Sequence, residues 1–195
     1  MYSFRNDYSE GAHPQVLQAL ADANGAQTVG YGTDPYCQAA ADTIRRLCAA
    51  PDAAVHFLVG GTQVNLVTID AFLQSYEAVI AAQTGHVSTH ETGAIEATGH
   101  KVCTVESPDG KLTPALVESV LAQHNGTEHM VLPRLVYISD TTEIGTLYTK
   151  AELTALRQCC QAHGLFLYLD GARLGSALTA PGNDLTLPDL AALTD

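Results

Sequence analysis

Basic residues are scarce in this chain of 195 residues. It holds 9 lysines and arginines against 21 aspartates and glutamates, which gives a formal net charge of −12. Nucleic acids and anionic membranes attract basic proteins, so this balance argues against both as partners. Apolar runs are short as well: none could span a bilayer, and residues 1–7 lack the apolar core of a signal peptide. We therefore expect a cytoplasmic protein that binds neither nucleic acid nor membrane.

The five cysteines show neither metal-ligand spacing nor a disulfide framework. Cys159 and Cys160 are adjacent in an expected helix, a setting that disfavours a mutual bridge. Buried thiols in a reducing compartment are the simplest interpretation, and we predict no metal site. Linkers and internal repeats are also absent, and a hydrophobic share of 46% is enough for a substantial core. We expect one domain that covers residues 1–195.

Helical and strand patterns alternate along the chain. Helices begin or end at prolines, at threonines that can cap them, and at glycines, while the strands are short apolar runs. This alternation predicts a mostly parallel, doubly wound sheet with crossover helices. The predicted strands are 55–59, 78–82, 102–105, 135–139 and 165–169; the predicted helices are 13–23, 35–49, 63–75, 113–123 and 150–163, with a short helix inside 83–99.

The last predicted strand ends in an acidic residue. Five apolar residues, 165–169, lead directly to Asp170-Gly171-Ala172-Arg173. A carboxylate at the carboxyl end of such a strand lies where open α/β sheets bind their ligands. A buried acid needs a cation, and a protonated pyridine nitrogen is a suitable one. The alternative is an aspartate that caps a helix before a glycine turn.

Two further segments carry chemistry. Gly60-Gly61-Thr62 joins a predicted strand to a helix, where small residues and free N–H groups can bind a phosphate; a tight turn is the alternative. The histidine-rich loop 83–99 offers His86, whose flat imidazole can stack on a ring and relay protons. His90 and Glu91 suggest zinc, but the order differs from His-Glu-x-x-His and no clear third ligand is present.

These segments resemble the low-specificity threonine aldolase and β-eliminating lyase family, which depends on pyridoxal 5'-phosphate. The matching motifs are Phe4–Asp7, Tyr31-Gly32-Thr33-Asp34-Pro35, Gly61-Thr62-Gln63-Val64-Asn65-Leu66, Gln83-Thr84-Gly85-His86 with Glu91, and Asp170–Arg173. The resemblance implies an α/β fold, a three-layer α-β-α arrangement around the mostly parallel sheet of the large domain of pyridoxal-phosphate-dependent transferases (the aspartate aminotransferase fold). It also implies that this domain, 1–195, is incomplete at its carboxyl end.

The resemblance also assigns residues to the cofactor. Asp170 keeps the pyridine nitrogen protonated, because an opposite charge stabilises the cation. Gly61 and Thr62 bind the phosphate, and His86 stacks on the ring and moves protons during catalysis. The polar loop Asp140–Thr146 matches only in part and receives no individual roles.

Substrate contacts are expected from three residues, and one further histidine is a catalytic candidate. Arg173 offers a planar guanidinium suited to a carboxylate, with an ordinary ion pair as the alternative. Asn6 stands where the family has serine, and Tyr31 lies in a loop near the active site. His129 is a second catalytic candidate, with a solvated loop histidine as the alternative.

The function implied is cleavage of a β-hydroxy-α-amino acid, such as threonine or allo-threonine, to glycine and an aldehyde, by a homodimer or homotetramer. The rivals are a β-eliminating lyase or aminotransferase of the same fold, and an inactive truncated paralogue. Only Lys101, Lys111 and Lys150 are present, whereas the family's Schiff-base lysine follows the aspartate. We therefore expect the chain to be the amino-terminal portion of a longer enzyme and to be inactive by itself.

Overall fold

The computed structural model describes residues 3–124 and 126–195. It divides into two compact units, Met1–Ala40 and Ala41–Asp195. The first unit contains helix α1 (Pro14–Ala23), which begins at a proline and has no buried residue. Helix α2 (Pro35–Leu47) starts in the first unit, where Asp34 Oδ1 accepts a hydrogen bond from Cys37 N at 3.0 Å, and continues into the second. The single truncated domain stays a prediction.

The second unit is built on a four-stranded sheet. Its strands are β1 (Glu77–Ala82), β2 (Lys101–Val105), β3 (Leu132–Ser139) and β4 (Phe166–Asp170), in the order β2-β1-β3-β4. Every neighbouring pair is parallel. Four of the five predicted strands and the parallel sheet are therefore confirmed.

The fifth predicted strand, 55–59, is wrong. This segment has no regular secondary structure and pairs with no strand in the described part of the chain. Val59 is 97% exposed and Phe57 47% exposed. An apolar run satisfies the side-chain pattern of a buried strand, but a strand also needs a neighbour for its backbone N–H and C=O groups.

Helices occupy the remaining segments of this unit. They are α3 (Gly61–Phe72), α4 (His86–Thr89), α5 (Ala94–Ala97), α6 (Pro114–Gln123), α7 (Lys150–His163), α8 (Leu174–Thr179) and α9 (Leu187–Leu193). The predicted helices are confirmed, with α3 beginning two residues early and the histidine-rich loop holding two short helices. The last two were not predicted, although Thr186 and Asp189 form a capping box that marks the start of α9.

The helices cover both faces of the sheet. Successive side chains of a strand point to opposite faces, and β1 is buried along its whole length. Its Val79 and Ala81 pack in one cluster with Ile69 of α3, while Ala78 and Ile80 belong to a second. The first cluster also contains Val87 of α4 and Ile95 of α5; the second contains Val117 of α6, Leu153 and Leu156 of α7, and Leu190 of α9. The three-layer α-β-α fold is therefore confirmed.

The strand order creates a topological switch point between β1 and β3. From β1 the chain moves to β2 on one side, and from β3 it moves to β4 on the other. Connections that leave adjacent strands in opposite directions create a switch point at their carboxyl ends, where α/β proteins bind ligands. Asp170 ends β4 at this same edge, opposite Ser139 of β3. In the described ranges no helix has the length and apolar character needed to cross a membrane.

Candidate active site

Asp170 is held at the carboxyl end of β4 by three neutral donors. Its Oδ2 accepts hydrogen bonds from the Tyr137 hydroxyl at 2.6 Å and from Asn65 Nδ2 at 3.1 Å. Its Oδ1 accepts one from Ala172 N at 2.9 Å. Since the following helix α8 has Arg173 as its N-cap, the alternative of a capping aspartate is not supported. A carboxylate can accept about four hydrogen bonds, so these three fix its orientation and leave Oδ1 able to accept another.

Asn65 links this carboxylate to a second one. The residue lies on α3 and is 2% exposed. Its Nδ2 donates to Glu91 Oε1 at 2.9 Å as well as to Asp170, and its Oδ1 accepts from the Tyr168 hydroxyl at 2.7 Å. Because both amide hydrogens and the carbonyl oxygen are engaged, the amide cannot rotate without breaking bonds in a buried setting.

Glu91 binds His86 on its other side. Glu91 Oε1 lies 2.5 Å from His86 Nδ1, and its side chain is completely buried. Burial alone raises the pKa of Glu91, but hydrogen bonding by Thr62, Asn65 and His86 outweighs it, so this pKa lies below its ordinary value. A carboxylate beside Nδ1 holds the ring proton there. In the neutral imidazole, Nε2 then carries the lone pair that can accept a proton.

Asp170, Asn65, Glu91 and His86 form a hydrogen-bond network, and two tyrosines of the sheet support it. Tyr137 of β3 pairs in register with Tyr168 of β4, and their rings meet edge to face with centroids 5.7 Å apart. Burial raises the pKa of both phenols, and the nearby Asp170 carboxylate raises them further. Both hydroxyls therefore stay protonated and donate, one to Asp170 and the other to Asn65.

The amino end of α3 offers an open surface with free N–H groups. Gly60 is its N-cap, and no side chain caps it. The first helical bond runs from Val64 N to Gly60 O at 2.9 Å, so the N–H groups of Gly61 and Thr62 have no acceptor within the helix. A Cβ at Gly60 or Gly61 would meet nothing within 4 Å. Gly60 has φ −168°, which any residue adopts, so its conformation does not require glycine, and a tight turn is not supported.

The structure brings four of the predicted site residues together. Gly61 and Thr62 begin α3 about 6 Å along its axis from Asn65, which joins Asp170 to the carboxylate that binds His86. Arg173, three residues after Asp170, is half-buried and engaged in interactions of its own.

His129 lies elsewhere in the second unit. It is exposed and precedes the amino end of β3, whereas Asp170 pairs with Ser139 at the carboxyl end. That strand spans eight residues, or about 23 Å. The two catalytic candidates His86 and His129 are therefore not brought together within the described part of the chain, and the role of His129 stays a prediction.

Asn6 and Tyr31 belong to the first unit. Asn6 Oδ1 accepts a hydrogen bond from Tyr8 N at 3.2 Å, and Tyr31 is fully exposed with φ +64°. A positive φ is uncommon for a residue with a side chain. Their substrate contacts stay predictions.

None of the three lysines is placed beside Asp170. Lys101 begins β2 at the amino edge of the sheet. Lys111 Nζ binds Glu152 Oε1, and Lys150 Nζ binds Asp189 Oδ1, each at 2.6 Å. A Schiff-base lysine for this site is therefore not among them.

The polar loop after β3 is held by hydrogen bonds between its own residues. Thr142 Oγ1 lies 2.7 Å from Thr146 Oγ1 and accepts from Thr146 N at 3.1 Å. Asp140 N donates to Asp170 O at 3.2 Å, and burial raises the pKa of the Asp140 carboxyl. The loop thus lies next to Asp170, and individual roles within it remain unassigned.

Comparison with known proteins decides the family. The profile of the family described as "Beta-eliminating lyase" matches residues 4–187. This chain belongs to that family. It is 38% identical over 176 residues to the low specificity L-threonine aldolase of a Pseudomonas species and 36% identical over 176 residues to that of Pseudomonas aeruginosa. Each match covers 89% of this chain and 50% of the relative, so the chain spans about half the length of these proteins.

Solved structures agree with this result. The threonine aldolase of Leishmania major superposes with a TM-score of 0.98 at 58% identity, covering 100% of this chain and 57% of that one. An aspartate aminotransferase from Rhizobium meliloti superposes with a TM-score of 0.69 at 16% identity, covering 94% of this chain and 46% of that one. The second likeness shows the fold alone.

Four residues of the network were not predicted as site residues. Asn65 and Glu91 occur inside the quoted motifs, and Tyr137 and Tyr168 each stand two residues before the end of a strand. Residues two apart on a strand share a face, so Tyr168 could have been placed beside Asp170 from the sequence. The Asn65 bonds depend on how α3 packs on the sheet, which no local pattern reveals.

Proposed function

We propose that the protein containing this chain uses pyridoxal phosphate to cleave a β-hydroxy-α-amino acid, such as threonine or allo-threonine, to glycine and an aldehyde. The observation that carries the proposal is the Asp170 carboxylate, fixed by neutral donors at the switch-point edge beside the open amino end of α3. The similarity to threonine aldolases, over 89% of this chain for one relative and 100% for another, supports the choice of reaction.

The donor set fits this cofactor at two points. Asp170 Oδ1 accepts one hydrogen bond and has capacity for a second, from a protonated pyridine nitrogen. The first N–H groups of α3, those of Gly61 and Thr62, suit a phosphate, since a helix amino end carries partial positive charge. The space over Gly60 and Gly61 leaves room for it. When bound, pyridoxal phosphate supplies an electron sink for the bond that breaks at the substrate's Cα.

Asp170 holds the proton on the pyridine nitrogen in this proposal. Its orientation comes from Tyr137 and Asn65, which bind the same oxygen, Oδ2, and so leave Oδ1 for the cofactor. An ionised carboxylate at contact distance favours the protonated form of its partner.

His86 moves the substrate proton. Its Nδ1 is occupied by Glu91, so Nε2 is the atom that accepts the β-hydroxyl proton, directly or through a water. The His86 side chain is 30% exposed, which leaves the ring accessible for stacking and for proton exchange. Arg173 binds the substrate carboxylate through its guanidinium.

Product analysis of the Asp170→Asn variant tests the proposal. The complete protein, isolated from its natural source or expressed from its full reading frame, is incubated with L-threonine and with L-allo-threonine while glycine is quantified. We expect glycine release that depends on pyridoxal phosphate and falls by orders of magnitude in Asp170→Asn. The matched control is Asp52→Asn, because Asp52 is exposed in a turn. Glycine release unchanged in a folded Asp170→Asn protein would overturn the assignment.

A further inference from the structure

A separate group of ligating side chains lies between helices α6 and α7. It consists of Glu118 on α6 and of Cys159 and His163 on α7, and one ligand atom from each lies within 4.8 Å of the other two. Glu118 Oε1 and His163 Nε2 are 3.9 Å apart. We propose that these three side chains bind a divalent ion of the zinc class, with water completing the coordination.

Helix geometry explains why the three meet. Cys159 and His163 are four residues apart on α7, so they lie one above the other on the same helix face. Helices α6 and α7 pack against each other on one face of the sheet, and Glu118 is presented to that helix face from α6. The ligands therefore come from two regular helices rather than from loops, which favours a defined geometry.

The donor set selects the class of ion. A thiolate, an imidazole and a carboxylate are the ligands that zinc takes in proteins, whereas calcium and magnesium prefer oxygen alone. Three protein ligands and one water also make a common four-coordinate arrangement for zinc. The Cys159 thiol releases its proton to solvent as the bond from sulfur to metal forms.

The distances allow the ion to be bound after small side-chain movements. Zinc–ligand bonds of about 2.0–2.3 Å put ligand atoms about 3.3–3.6 Å apart in a tetrahedron. The three atoms must therefore approach by no more than about 1.5 Å. Glu118 and His163 have 60% and 42% of their side chains exposed and can rotate, while Cys159 is 8% exposed and lines the inner side of the site.

Cobalt binding provides the test, because a thiolate ligand to Co²⁺ produces a charge-transfer absorption. The complete protein, without an affinity tag and freed of metal with a chelator, is titrated with Co²⁺ and then with Zn²⁺. We expect one equivalent of Co²⁺ to bind with the thiolate absorption and Zn²⁺ to displace it. Cys159→Ser should abolish the absorption, and Glu118→Gln and His163→Gln should each weaken Zn²⁺ binding at least about tenfold.

Cys103 supplies the matched control. Its Sγ lies 3.5 Å from His124 Nε2, so it is also a cysteine beside a histidine, without the carboxylate. Cys103→Ser should leave the absorption unchanged. The proposal is overturned if no thiolate absorption develops, or if Cys103→Ser abolishes the absorption and Cys159→Ser does not. It is also overturned if Glu118→Gln and His163→Gln, shown to be folded by circular dichroism, bind Zn²⁺ as tightly as the wild type. That last result would leave Glu118 and His163 as a simple ion pair.

Discussion

The hydrogen bond from Tyr137 to Asp170 yields the sharpest stability prediction. Replacing Tyr137 by phenylalanine removes one hydroxyl and keeps the ring, which is 1% exposed and packed against Tyr168. The bond lost is 2.6 Å long and ends on a carboxylate. Asp170 retains its bonds to Asn65 and Ala172, so the substitution removes the hydroxyl's bond to this carboxylate together with its contact to Ser139.

The expected cost follows from the nature of the acceptor. Hydrogen bonds to charged groups contribute about 1.5–3 kcal/mol to stability, more than those between neutral groups. We therefore predict that Tyr137→Phe lowers the free energy of unfolding by about 1.5–3 kcal/mol. With a denaturant slope of about 2 kcal/mol per molar urea, the midpoint falls by about 0.75–1.5 M.

Urea unfolding at pH 7, followed by circular dichroism, measures this difference. Tyr76→Phe is the control, because Tyr76 is 60% exposed and an exposed hydroxyl should change stability by no more than about 0.5 kcal/mol. If Tyr137→Phe costs no more than Tyr76→Phe, the bond to Asp170 is not a stabilising contact, and the orientation assigned to that carboxylate loses its main support.

Two other substitutions test the network and the core. Folding lowers the pKa of Glu91, so its ionised form stabilises the fold above the usual glutamate pKa of about 4.3, and this contribution is lost as the pH falls through the lowered value. The urea midpoint of the wild type should therefore fall more steeply than that of Glu91→Gln between about pH 5 and pH 3; parallel profiles would contradict this. Leu156 is fully buried on the inner face of α7, so Leu156→Ala should cost about 2–5 kcal/mol. The exposed Leu58→Ala should cost less than about 0.5 kcal/mol in the same urea assay, and equal losses would contradict the core assignment.

The parallel sheet could be predicted because its strands carry their own signals. Each of β1 to β4 contains a short run of mostly apolar residues. Strand β1 is buried along its whole length and β3 along most of it, whereas β2 and β4 are only partly buried. The segment 55–59 shows the limit of that reasoning, since it has the same apolar character and no pairing partner in the described residues. The pattern of side chains indicates whether a segment can be buried, whereas the pairing of a strand depends on a partner strand elsewhere in the chain.

The candidate site, like the sheet, could be predicted from the sequence only in part. Asp170 and the amino end of α3 could be predicted, because an acid after an apolar strand and glycines before a helix are local patterns. The bridge from Asp170 through Asn65 to Glu91 joins residues far apart in sequence, so only the packing of α3 on the sheet reveals it. His129 lies beyond the amino end of β3, away from the other predicted site residues of this unit, and its catalytic role stays a prediction.

The products formed from L-threonine test the central claim most directly. Aldol cleavage yields glycine and acetaldehyde in equal amounts, whereas β-elimination of the same substrate yields 2-oxobutyrate and ammonium. The complete protein, supplied with pyridoxal phosphate and L-threonine, is sampled over time for all four compounds. We predict glycine and acetaldehyde in a one-to-one ratio. Formation of 2-oxobutyrate and ammonium in their place would contradict the proposed function and favour an eliminating lyase built on the same site.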